Sequence, residues 1–165
     1  IGPALEARDV LSVLQVHADA PADLRDRAVQ IAGKLLEISG VAVAGQGSIQ
    51  AQSAIDNGSA WKKFVAICEA QGGMREPPHA AYHYDVFAKS DGLVEAIDNR
   101  AVARIAKLAG APFDQAAGVE LLVKLDAKVS KGDVLMIIHA DSPGELEYAL
   151  EYERSQLNVI ALGKK

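Results

Sequence analysis

A chain of 165 residues, half of them apolar, holds one ordinary domain or two small ones and has the side chains for a packed core. Its formal charge of −5 and pI near 5.3, with 17 lysines and arginines scattered among 22 acids, exclude the basic face that nucleic-acid binding requires. One cysteine, Cys68, excludes an internal disulfide, and no apolar run reaches the ~18 residues of a membrane span, so a soluble cytoplasmic protein with no membrane partner is expected.

The chain opens on Ile-Gly-Pro rather than Met, which reads as a processed product or a piece of something longer. Pro3 to Gln15 is expected to be helical, with Leu5, Ala7, Val10, Leu11 and Leu14 as its stripe and Pro3 in the first turn. A second helix is expected from near Asp19 to Pro21, where Asp caps and Pro opens, as far as Ser39; Leu24, Ala28, Ile31 and Leu35 form its seam. Gly45-Gln46-Gly47 breaks the chain before a short helix from Ser48 to Asn57 carrying Ile49, Ala51 and Ile55. Ser59 then caps a helix with Trp61, Phe64, Val65 and Cys68, stopped by Gly72-Gly73.

GGMREPPH at 72–79 precludes regular structure and sets the boundary: a helical part over 1–73, a linker over 74–80 and a second domain over 81–165. Beyond it the period changes to two. Tyr82 to Ala88 and Leu93 to Ile97, joined by Ser90-Asp91-Gly92, read as a hairpin. Asp98 caps a helix from Asn99 to Ala109 with Val102, Ile105, Ala106 and Ala109 inward. VELLVKLDAKVSKGDVLMIIHA at 119–140 reads as two strands and a turn at Lys131-Gly132-Asp133, the second strand covered on both faces. Ser142-Pro143-Gly144-Glu145 is a capping box that opens a helix with Leu146, Ala149 and Leu150, and Leu157 to Ala161 is a last strand. The expected class is α+β.

Chemistry is sparse in this pattern. Gly45-Gln46-Gly47 lacks the preceding strand and the offset Gly or Lys of a phosphate loop, and reads as a helix break. His17, His79, His83 and His139 show no metal spacing, with His83 and His139 read as core-edge residues of strands. Cys68 on an apolar helix face reads as an inert hydrophobe, and Glu145, Glu147, Glu151 and Glu153 read as a solvated face.

V-x-K-G-D-V-L-x-I within the 119–140 stretch is similar to half of a biotinyl or lipoyl carrier domain, but His139-Ala140-Asp141-Ser142-Pro143 stands where the carrier lysine belongs. That resemblance implies barrel geometry, not a carrier. The motifs GPALEARDVL at 2–11, AQGG at 70–73, SDGLVEAIDNRAVARIAKLAGAP at 90–112 and AGVELLVKLDAKVSKGD at 117–133, in this order, resemble the thymidine and AMP phosphorylases, the pyrimidine nucleoside phosphorylase family. Their wording is most like the subfamily of archaeal AMP phosphorylases and the bacterial proteins named as thymidine phosphorylases. The resemblance implies a C-terminal fragment: the helical end of the catalytic glycosyltransferase-type α/β domain, followed by a small hammerhead-like C-terminal domain with a barrel-like sheet.

It further implies, for a full-length parent, phosphorolysis of thymidine, uridine or a nucleoside monophosphate, with phosphate as co-substrate and a homodimer or larger assembly as the working form. The phosphate loop and base-binding residues of the family precede the GNALE-like motif, so no catalytic or substrate-binding residue is assigned to this chain. It is expected to serve in packing and oligomerisation, and alone to be inactive. Glu6 matches the Glu of that motif, and Asp9 stands where a family carboxylate helps to bind potassium, with Asp in place of Glu. Against that reading stands an ordinary helix acid at Asp9.

Overall fold

In the computed structural model residues 1–163 are described. The fold is α+β, and the chain divides into two compact units, Ala7–Glu76 and Ile1–Glu6 with Pro77–Lys165. The elements run α1 (Pro3–Leu14), α2 (Ala22–Ile38), α3 (Gly47–Asp56), α4 (Ser59–Ala70), β1 (Tyr82–Phe87), β2 (Gly92–Ile97), α5 (Asn99–Leu108), β3 (Gly118–Leu121), β4 (Lys128–Val129), β5 (Val134–Ala140), α6 (Pro143–Ser155) and β6 (Ile160–Gly163).

The unit of residues 7–76 is helical. Its core is Val13, Val29, Ala51 and Ile55, with Leu24, Leu36 and Ala60 packed against it. The expected seam of α2 is corrected here: Ile31 and Leu35 are 54% and 61% exposed. The packed face of α2 instead follows Val29, Gly33 and Leu36, and at 3.6 residues per turn a side chain two positions from Gly33 points about 200° away from it. Gly33 is what allows the approach. A Cβ there would lie 2.6 Å from Ser48 Cα, and one on Gly47 would lie 2.7 Å from the Gly33 carbonyl carbon. For the same reason Ile49 of α3 is exposed while Ala51 and Ile55 are buried.

Two expected caps are also corrected. The N-cap position of α2 is Pro21, without a side-chain bond, and that of α4 is Gly58 with φ of +74°. The Ser59 hydroxyl donates back to the Ala54 carbonyl (3.1 Å), and Asn57 Oδ1 accepts from the Ser59 N–H (2.9 Å). α4 stops at Ala70, where the Gly73 N–H returns to the Cys68 carbonyl (2.9 Å).

The second unit holds two three-stranded antiparallel sheets, β1-β5-β3 and β4-β2-β6. The hairpin is corrected too: β1 runs beside β5, with Tyr82 opposite Ala140 and Tyr84 opposite Ile138, whereas β2 runs between β4 and β6. The polar groups of the connecting residues are spent on the 131–133 turn. The Ala88 N–H donates to the Asp133 carbonyl (2.8 Å), the Gly132 N–H to the Ala88 carbonyl (2.9 Å), and Asp91 Oδ1 accepts from the Lys131 N–H (2.7 Å). The 119–140 stretch correspondingly yields three strands rather than two, its short middle one, β4, crossing to the other sheet. The last strand begins at Ile160, and Leu157 is 97% exposed.

α5 and α6 cover one face of the first sheet. Val102, Ile105, Ala106, Ala149 and Leu150 meet Val119, Met136 and Ile138 in the main core. Asp98 Oδ1 caps α5 by accepting from the N–H groups of Arg100 (2.9 Å) and Ala101 (3.0 Å), as its position predicts. β5 has both faces covered: Met136, Ile138 and Ala140 enter the main core, while Leu135 enters a second one with Ala88, Val94 and Val129. Residue 1 joins the first sheet. The Ile1 amino group donates to the Val119 carbonyl (2.7 Å) and the Val119 N–H to the Ile1 carbonyl (2.7 Å).

Candidate functional site

Three polar constellations emerge from these elements. In the helical unit, the N-terminus of α3 follows the loop Val43 to Gln46, and its free N–H groups need an acceptor. Glu37, near the end of α2, supplies it: its Oε1 accepts from the Gly45 N–H (2.9 Å) and the Gly47 N–H (3.2 Å). These bonds, Gly47's first, hold the Glu37 carboxyl below its ordinary value, and Lys34 Nζ at 3.5 Å adds to the effect against the opposing cost of its burial. The Gly45-Gln46-Gly47 loop is thus an anion cradle filled by the protein's own carboxylate. The sequence contained the signal, an acid at the end of one helix followed by Gly-x-Gly at the start of the next.

In the second unit, the capping box forms as expected: the Glu145 N–H donates to Ser142 Oγ (3.3 Å), and that hydroxyl donates to Glu145 Oε2 (2.7 Å). Glu145 is more than part of a solvated face, because its carboxyl is the neighbour that most perturbs Asp114 in the loop after α5. Asp114 is accordingly pushed above its ordinary value, first by the hydrogen bond to Glu145 and then by that group's charge, with Asp141 adding to it. Nothing in the sequence joins positions 114 and 145; only the packing of α5 on α6 brings them together.

The third constellation lies on the first sheet. His83 and His139 face one another across β1 and β5 with ring centroids 6.5 Å apart, and His139 Nε2 lies 3.4 Å from Glu120 Oε2 on β3. Among the described residues no group of three or more His, Cys, Asp or Glu side chains is arranged to hold a metal ion.

Glu6 Oε1 accepts from the Gly2 N–H (3.3 Å), so this acid serves the start of α1. Asp9 is exposed on α1, where its carbonyl accepts from Ser12 Oγ (2.8 Å). Cys68 is half-buried on α4. Two of the clefts on the second unit border residues of its main core. One, of about 210 Å³, lies among Val86, Phe87, Met136, Glu153 and Val159; the other, of about 510 Å³ and mostly apolar, lies among Ile1, Glu6, Lys107, Pro112 and Phe113. Neither brings together a nucleophile with a base or a cluster of fixed cations.

Residues 93–159 match the pyrimidine nucleoside phosphorylase C-terminal domain. Over nearly its whole length the chain is similar to proteins named "Putative thymidine phosphorylase": 53% identical over 162 residues to that of Hahella chejuensis, covering 98% of this chain and 32% of the relative. The corresponding values are 55% over 152 residues for Ralstonia nicotianae, covering 92% and 30%, and 51% over 164 residues for Legionella pneumophila strain Paris, covering 99% and 32%. The chain therefore spans about a third of the length of the curated relatives it matches. Residues 93–159 thus match the C-terminal domain of the pyrimidine nucleoside phosphorylases, and identity above one half extends the likeness to these relatives over nearly the whole chain.

Proposed function

We propose that this chain is the packing and assembly part of a longer phosphorylase that cleaves thymidine or a related pyrimidine nucleoside with phosphate, giving the free base and (deoxy)ribose 1-phosphate. The observation that carries the reading is the identity of about one half with relatives bearing the thymidine phosphorylase name, over almost every residue of this chain. A nucleoside monophosphate such as AMP is the other substrate class, since the Ile97-Asp98-Asn99 and Gly110-Ala111-Pro112 wording resembles a subfamily that holds both.

The division of labour follows from physical chemistry. Phosphorolysis gains its rate by orienting phosphate against C1′ and by fixed donors that stabilise the charge developing there. Among the described residues, the N–H groups of the Gly45-Gln46-Gly47 loop are taken by Glu37 rather than left for a phosphate. In this reading catalytic residues belong to the remainder of the parent, and this chain contributes a scaffold and surfaces for a homodimer or larger assembly in the cytoplasm.

Asp9 offers one exposed carboxylate to a potassium ion. An ion held there takes its remaining ligands from other oxygen donors, backbone carbonyls among them. No step of the reaction is routed through it.

The test is base release. The longer protein should liberate thymine, uracil or adenine from a panel of nucleosides and nucleotides only when phosphate is present, and the 165-residue chain should match a no-protein control. Phosphate-dependent turnover by the 165-residue chain would overturn the division of labour. An inert full-length protein would overturn the phosphorylase reading itself.

A further inference from the structure

We propose that the outer edge of β3 is a docking edge for one more antiparallel strand, and that its occupant is the extended segment preceding Ile1 in a longer parent chain. Ile1 and Val119 exchange both backbone hydrogen bonds, each 2.7 Å, which is the closely bonded pair of an antiparallel ladder. That pair fixes both direction and register. The chain leaves the ladder after one residue because Gly2 turns it, with φ of +144°, into α1. Gly118 opposite makes the turn possible: a Cβ on Gly2 would lie 3.0 Å from Gly118 Cα, and one on Gly118 would lie 2.9 Å from Gly2 Cα.

In an antiparallel ladder the backbone groups of successive residues point to alternate edges. Val119 spends its N–H and carbonyl on Ile1, and Glu120 faces Ile137 of β5, so Leu121 turns its N–H and carbonyl to the same outer edge as Val119. Chain running backwards from Ile1 passes alongside Glu120 and then Leu121. The residue before Ile1 falls opposite Glu120 as a wide pair, and the one before that meets Leu121 as a bonded pair. Relatives more than half identical are about three times as long as this chain, so a parent of that length has residues beyond these 165, and an unpaired edge is a standing invitation to pairing. The first sheet then reads β1-β5-β3 plus one.

The register can be tested by cross-linking in the full-length protein with Cys68→Ala as background. Directly opposed residues of a wide pair have Cα atoms about 4.5 Å apart, within the span of a disulfide. Glu120→Cys combined with cysteine immediately before Ile1 should close an intramolecular disulfide at least about tenfold faster than Glu120→Cys with cysteine one position further upstream, whose side chain lies on the other face. Equal rates for the two pairs, or no cross-link in either, would overturn the proposal, as would a disulfide-linked dimer, which assigns the edge to a second copy. Amide exchange in the unsubstituted protein gives an independent reading. The Leu121 N–H should be protected about 100-fold or more over an unstructured amide, and free exchange at Leu121 overturns the pairing even if a cysteine variant misfolds.

Discussion

Gly33→Ala pits helix propensity against packing, and the geometry decides which wins. In the interior of a helix, alanine for glycine stabilises by about 1 kcal/mol. Here the added methyl would stand 2.6 Å from Ser48 Cα and closer still to the Ser48 nitrogen, where carbon atoms in ordinary contact keep about 3.5 to 4.0 Å. The obstacle is backbone at the start of α3, which cannot swing aside as a side chain does, so α3 must retreat by about 1 Å. A gap of that size forfeits a quarter to a half of each contact it opens, and Val29 faces Ala51 and Ile55 across this seam. Overpacking of this kind costs about 1 to 3 kcal/mol, and with backbone as the obstacle we take about 3. Net destabilisation is therefore about 2 kcal/mol. Trp61, the single tryptophan, lies on α4 of the same unit and reports its unfolding by fluorescence. With a urea slope near 2 kcal/mol per M, the midpoint should fall by about 1 M. Gly144→Ala is the contrast, since nothing lies within 4 Å of its Cβ position; it should leave the stability of its own unit, followed by circular dichroism, unchanged or raised. A Gly33→Ala midpoint equal to or above that of the parent would refute the reasoning.

Asp98→Ala removes the acceptor of two N–H groups at the start of α5 and should cost about 1 kcal/mol, a fall of about 2 to 4 °C in Tm, with Asp98→Asn losing less; equal losses for both would argue against the cap. Because the Asp114 carboxyl binds its proton more tightly folded than unfolded, its contribution to stability is present below the ordinary carboxylate range and is lost as pH rises through the raised value. Glu145→Gln removes the neighbouring charge, and a carboxyl ¹³C titration should then show Asp114 moving back down; an unmoved Asp114 would break the assignment. Glu37 behaves oppositely: its contribution is present above the unfolded value and is lost as pH falls through the lowered one, so Glu37→Gln should flatten the acid limb of a stability–pH curve below about pH 4. An unchanged acid limb would mean that the glycine N–H bonds do not bias its titration.

What the sequence revealed were features settled within a few residues. Asp98 and the Ser142–Glu145 box were legible because a cap needs only its own first turn, and the buried stripe Val102, Ile105, Ala106 because α5 has a single cover. Strand pairing was not legible. Tyr82 to Phe87 and Gly92 to Ile97 carry the same alternation a hairpin would, and their true partners at 134–140 and 160–163 lie too far along the chain for local pattern to choose. The seam of α2 misled for a related reason: Ile31 and Leu35 make a regular stripe, but the face that packs is the one where Gly33 leaves room, and a glycine adds nothing to a hydrophobic count. At the sites, Glu37 was within reach of sequence reasoning, whereas Asp114 and Glu145 meet only through tertiary packing.

The strand order of the second unit carries a timetable for synthesis. Leu93 of β2 pairs with Gly163 of β6, and Tyr82 of β1 with Ala140 of β5, so each early strand must wait for the ribosome to deliver its neighbour. At roughly 5 to 20 residues per second, the seventy residues from Leu93 to Gly163 take about 4 to 14 s. The helical core of Val13, Val29, Ala51 and Ile55 has no such wait and can close before Tyr82 is made. Until β4 at 128–129 is made, roughly half of that interval, the nascent β2 carries Val94, fully buried in the finished protein, without either neighbouring strand. That is an interval in which a holdase has something to bind, and in which slowing translation after residue 97 would lengthen the exposure and lower the yield of folded protein.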